Sequence, residues 1–131
     1  MKKILAFLCI VSMILSLFSC QAEDIKLNEE KSYFSDFKIE NDKVYIYCTL
    51  FIENKWDTEK VISLKASFEK DAENGLLKKT LISGYSLDES VQEFQLKKGE
   101  NKLDVVFIGE HADVGKKHDR LLPDIKITEI E

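Results

Sequence analysis

The chain has 131 residues, 44% of them apolar, which by length is one domain with enough material for a single modest core. It carries 24 acidic against 19 basic residues, a net charge of −5, and no basic run interleaved with aromatics. That balance excludes a nucleic-acid partner and any electrostatic pull toward anionic lipid headgroups.

Lys2 and Lys3 are followed by an apolar run from Ile4 to Phe18. The run is too short and too abruptly ended for a membrane span and reads as an export signal. It closes on Leu17-Phe18-Ser19-Cys20, which resembles the lipobox of bacterial lipoproteins. The resemblance implies that residues 1–19 are a signal peptide, that the Cys20 thiol receives diacylglycerol, and that Cys20 becomes the first residue of the mature protein. It further implies an extracytoplasmic location, on the cell surface or the periplasmic face, with the membrane as partner through lipidated Cys20. Cleavage there leaves 112 of the 131 residues and, with Lys2 and Lys3 gone, moves the net charge from −5 to −7. Attachment must then come from the acyl chains, at about 0.8 kcal/mol per buried methylene. Cys9 leaves with the signal and Cys20 takes the lipid, so Cys48 stands alone and no intramolecular disulfide is expected.

Residues 21–32 are polar without a sustained period, so 20–32 reads as a lipidated tether and 33–131 as the domain. A dozen residues reach at most about 40 Å, which keeps the domain near the bilayer. From Tyr33 the chain alternates, with Phe37 and Ile39, then a turn at Asn41-Asp42, then Val44, Ile46, Cys48, Leu50 and Ile52 at a spacing of two. This predicts a hairpin whose second member is the strongest strand. Asn54 to Asp57 breaks the run, and Ile62, Leu64, Ala66 and Phe68 mark the inner face of a third strand. Asp71 to Gly75 is loop by composition. In 76–87, Leu77, Leu81, Tyr85 and Leu87 share a parity, and the β-branched and aromatic residues favour strand over helix. A second hairpin is expected from Gln92–Leu96 and Leu103–Ile108 around Lys98-Gly99-Glu100-Asn101, with Leu103, Val105 and Phe107 inward. A polar loop from Gly109 to Leu122 then leads past Pro123 to a short last strand holding Ile125 and Ile127. Six or seven short strands and no convincing amphipathic helix predict an all-β fold: an antiparallel β-sandwich of immunoglobulin-like architecture, with a small β-barrel as the alternative.

Catalytic motifs do not converge. The chain has no phosphate-cradling glycine loop, serine elbow, HExxH or CxxC, so no catalytic residue and no cofactor is assigned. Cys48 sits on the inward parity of the best strand, where burial makes a thiol inert. His111, Asp113, His118 and Asp119 are weak metal candidates on the 109–122 loop: their spacing fits no established ligand pattern, and Lys116 and Lys117 oppose a cation. Asp71, Glu73 and Asn74 lack the spacing of a calcium loop. Trp56 has the setting of a core cap, with sugar stacking as the other reading.

The outward parity is more informative. The strand of Cys48 carries Tyr45, Tyr47 and Phe51 on its other side, and Leu103–Ile108 carries Val106 and Ile108 there. If the two strands are neighbours, these five residues form an aromatic and aliphatic face suited to a partner or to a second copy of the chain. The competing reading is that 71–87 or the last long loop folds over that face. Taken together, the expectation is a non-enzymatic binding module, a membrane-anchored lipoprotein that binds an envelope protein or ligand. A small cell-envelope hydrolase or metal-dependent enzyme, and an inhibitor or immunity-type lipoprotein, are the alternatives.

Overall fold

The computed structural model describes residues 24–112 and 121–130. The elements in chain order are β1 (Ile25–Leu27), β2 (Tyr33–Glu40), β3 (Lys43–Asn54), β4 (Lys60–Ser67), α1 (Glu69–Glu73), β5 (Leu81–Ser86), β6 (Glu93–Leu96), β7 (Gly99–Glu110) and β8 (Asp124–Ile130). All strand pairs are antiparallel and all eight strands belong to one sheet.

β3 and β7 are its spine, paired over twelve residues from Lys43↔Glu110 to Asn54↔Gly99. β2 and β1 lie along the other side of β3, β5 continues from β7, and β4 carries β5 and β6 on one side and β8 on the other. The sheet curls through 283°, so the architecture is more barrel than sandwich, and the immunoglobulin-like arrangement gives way to the alternative. The inward residues of β3, β4 and β7, such as Val44, Ile46, Leu50, Leu64, Val105 and Phe107, meet in one core with exposures of 0–1%. Phe68 packs edge-on to Phe107 with ring centroids 5.9 Å apart.

The first hairpin forms where its turn chemistry lies. Asn41 and Asp42 take φ of 52° and 63°, the left-handed pair that matches strand twist and that these two residue types tolerate. The second expected hairpin does not form, because β6 pairs with β4 while β7 turns away to β3 and β5. Asn101 explains the corner: its side chain accepts from the Lys97 amide at 2.9 Å and donates to the carbonyls of Lys97 and Gly99, and Gly99 has φ of 94°. Bracketed that way, the chain reverses from β6 into β7 without a ladder between the two.

Two other expectations are corrected. Residues 25–27, assigned to the tether, pair with β3 as a strand, Ile25↔Asn54 to Leu27↔Ile52. In 76–87 only Leu81–Ser86 is strand, and its parity is reversed: Ile82 and Gly84 are buried, while Leu81 and Leu87 are exposed and Tyr85 is half-buried. The cause is space. Gly84 sits opposite Phe107, and a Cβ there would lie 2.9 Å from Val105 Cγ1 and 3.0 Å from Phe107 Cε1, so a tyrosine cannot occupy that side. Ahead of β5, the single turn α1 is followed by Leu76 and Leu77, which are buried in the core with both their amides donating to the Asp71 carbonyl.

Candidate binding surface on the outer face

β3 and β7 are neighbours in a register that sets Tyr45 opposite Ile108, Tyr47 opposite Val106 and Phe51 opposite Lys102. The five residues predicted for an interaction face therefore lie on one side of one pair of strands. β5 extends the row, because Tyr85 pairs with Val106 from the other flank. Val106 is thus set between two tyrosines and is 0% exposed although it points away from the core, while Tyr45, Tyr47, Tyr85 and Ile108 are half-buried. Cross-strand neighbours on a pleated face lie close enough for two phenol rings to close over an intervening valine. β5 lies beside this face and widens it by one strand, with Leu87 just after it lining a hollow next to Tyr47; residues 113–120 of the last long loop lie outside the described residues.

Sequence reasoning missed Tyr85. The signal was its aromatic character beside Gly84, but its parity had been tied to Leu77 and Leu81.

The ends of the row are occupied differently from its middle. Lys38 Nζ stands 4.8 Å from the Tyr45 ring centroid and pairs with Glu40 at 3.0 Å; the hydrogen bond that Lys38 donates to Glu40 raises the Lys38 pKa. Lys31 Nζ stands 5.8 Å from the Phe51 ring centroid and bonds to Glu100 at 3.1 Å. Cations stand over these two end rings and Lys38 also reaches the Tyr47 hydroxyl, so the apolar centre of the face is Val106 with the Tyr47 and Tyr85 rings on either side of it. Beside it is a hollow of about 410 Å³ lined by Ser35, Asp36, Tyr47, Thr49, Leu87 and Asp104. Thr49 Oγ1 donates to Asp104 Oδ1 at 3.0 Å across the two strands, and Ser35 Oγ donates to the Tyr47 carbonyl at 3.1 Å. An apolar row flanked by hydroxyls and a carboxylate has the make-up of a protein-binding patch.

The remaining candidates separate. Cys48 is 1% exposed and desolvation pushes its thiol up to about 12, which removes it as a nucleophile near neutral pH. Trp56 is 40% exposed in the β3–β4 turn, with its amide donating to Asn54 Oδ1 and Lys60 Nζ 4.7 Å from its ring centroid; a cation therefore covers one ring face, and the ring is not a buried cap. His111 is half-buried and bridges Leu77 at the end of β7. Asp113, His118 and Asp119, like Cys20, lie outside the described residues. Among the described residues no three of His, Cys, Asp and Glu gather as a metal site.

Comparison with protein-family models, with curated proteins and with solved structures finds no match to this chain.

Proposed function

We propose that this chain is an extracytoplasmic lipoprotein, anchored to a bacterial membrane through diacylglycerol on Cys20, whose barrel binds an envelope protein through the outer row around Tyr47, Val106 and Tyr85. The observation that supports the binding reading is that row itself: three adjacent strands place two tyrosines about a valine on the side of the sheet that the core does not need. The contribution of aromatic residues to interfaces comes from apolar area combined with a polar tip, and two tyrosines supply both. The anchor fits the same picture. If lipid sits on Cys20, β1 begins five residues later, and about 17 Å of extended chain is the longest reach from bilayer to barrel.

The test is a pair of variants, Tyr47→Ala and Tyr85→Ala, in the anchored protein. Each should lose co-purification of a discrete envelope partner by tenfold or more while the processed, membrane-bound form is kept. Unchanged recovery of that partner in both variants would refute the assignment of the face.

A further inference from the structure

The barrel does not close, and its two ends meet across a groove. β1, together with β2, is the edge at one end and β8 is the edge at the other. A cavity of about 730 Å³ between them has Ile25 and Leu27 of β1 and Ile125 and Ile127 of β8 as its apolar walls. These four side chains pack against the core yet are only half-buried, unlike the inward residues of β3 and β7 at 0–1%. Glu29, Glu30, Glu53 and Glu100 stand around the opening against Lys26 and Lys55, and among the described residues Glu29, Glu30 and Glu53 make no ion pair.

β8 pairs with β4 over Asp124–Ile130 and has no strand on its other side among the described residues, so every second amide and carbonyl of that strand faces the groove. Exposed edges are normally blunted by a proline, a bulge or an inward charge. Pro123 precedes β8 and Asp124, Lys126 and Glu129 are exposed along it, but no proline or bulge interrupts its register with β4, and the two residues it turns to the groove, Ile125 and Ile127, are uncharged.

We propose that this groove is a second binding site, which takes an extended polypeptide segment as an added strand on β8. Alternate apolar side chains of the segment would lie over Ile25, Leu27, Ile125 and Ile127, and a basic side chain would meet Glu29 and Glu30. An acyl chain would use the apolar walls but none of the edge amides, whereas a strand satisfies both, and the excess of acid at the opening selects a basic segment. This site is independent of the outer aromatic row.

The experiment selects decapeptides from a random display library on the immobilised mature protein, then measures affinity and amide hydrogen exchange with the enriched peptides. Enriched sequences should alternate apolar with polar or basic residues and slow exchange at alternate amides of 124–130 by tenfold or more. N-methylation along one peptide edge should cost at least tenfold in affinity and along the other less than twofold. Tyr47→Ala should leave that affinity within twofold, which separates failure here from failure of the aromatic row. The proposal is overturned by any of four results: no enrichment over bare matrix, affinity that survives N-methylation of both edges, laurate that binds in the groove with the peptide excluded, or a protein that fills the groove by dimerising at assay concentration.

Discussion

Gly84→Ala probes the packing that curls the sheet. The new methyl would meet Val105 Cγ1 at 2.9 Å, Phe107 Cε1 at 3.0 Å and Leu64 Cβ at 3.3 Å, all inside ordinary van der Waals contact. Val105 and Phe107 are both 0% exposed, so neither can swing into solvent, and moving the Phe107 ring disturbs the Phe68 ring beside it. Overpacking of this kind costs about 1–3 kcal/mol, and the lost freedom of glycine in the unfolded chain returns about 0.4–1 kcal/mol, so a net loss of about 1–2 kcal/mol is expected. Gly99→Ala is the contrast: nothing lies within 4 Å of its Cβ, but φ is 94°, so its cost is backbone strain of about 1–2 kcal/mol. Urea denaturation of both variants should show lower midpoints with unchanged m-values. If Gly84→Ala melts at or above the parent's midpoint, the inner face has slack at that point and the account of the reversed β5 parity is wrong.

Three further outcomes are expected. Native protein should react with iodoacetamide at Cys48 far more slowly than protein in urea. Because the thiol is raised from 9.0 to about 12 on folding, its contribution is intact below pH 9 and is lost between pH 9 and about 12 at about 1.4 kcal/mol per unit, a slope that should appear as the difference between parent and Cys48→Ala and whose absence from that difference would contradict the burial. Asp88 is held at about 2 by the hydroxyls of Ser86 and Ser90 and by the Ser90 amide. Its stabilising contribution is therefore present above pH 3.8 and lost as pH falls toward 2, and a carboxyl titration by NMR with a midpoint at 3.8 would refute that hydrogen-bonded turn. Cys20→Ala should accumulate as an uncleaved precursor, and a variant still processed and still partitioning into detergent would rule out the anchor.

The spine of the fold was legible because alternation reports which side of a strand is buried. Val44 to Ile52 marked β3, and Asn41-Asp42 marked its turn through their tolerance of positive φ. Alternation does not report which strand lies beside which, so Val105 and Phe107 of β7 were legible as inward while β6 was given the wrong neighbour. Closure was illegible for the same reason, since a sandwich and a barrel use the same period. β1 was missed because three residues, Ile25-Lys26-Leu27, are too few to establish a period. At the outer face, residues on β3 and β7 could be read from parity, but Tyr85 depended on the absence of room beside Gly84, which only packing reveals.

The central claim is that the Tyr47–Val106–Tyr85 row meets a partner in the cell envelope. A photo-crosslinking phenylalanine derivative at position 47 in living cells, with a matched probe at Lys65 on the outer side of β4, tests it most directly. The account predicts one discrete protein adduct from position 47, lost in Tyr85→Ala, and none from position 65. Equal adduct patterns from both positions, or no adduct from position 47, would contradict it.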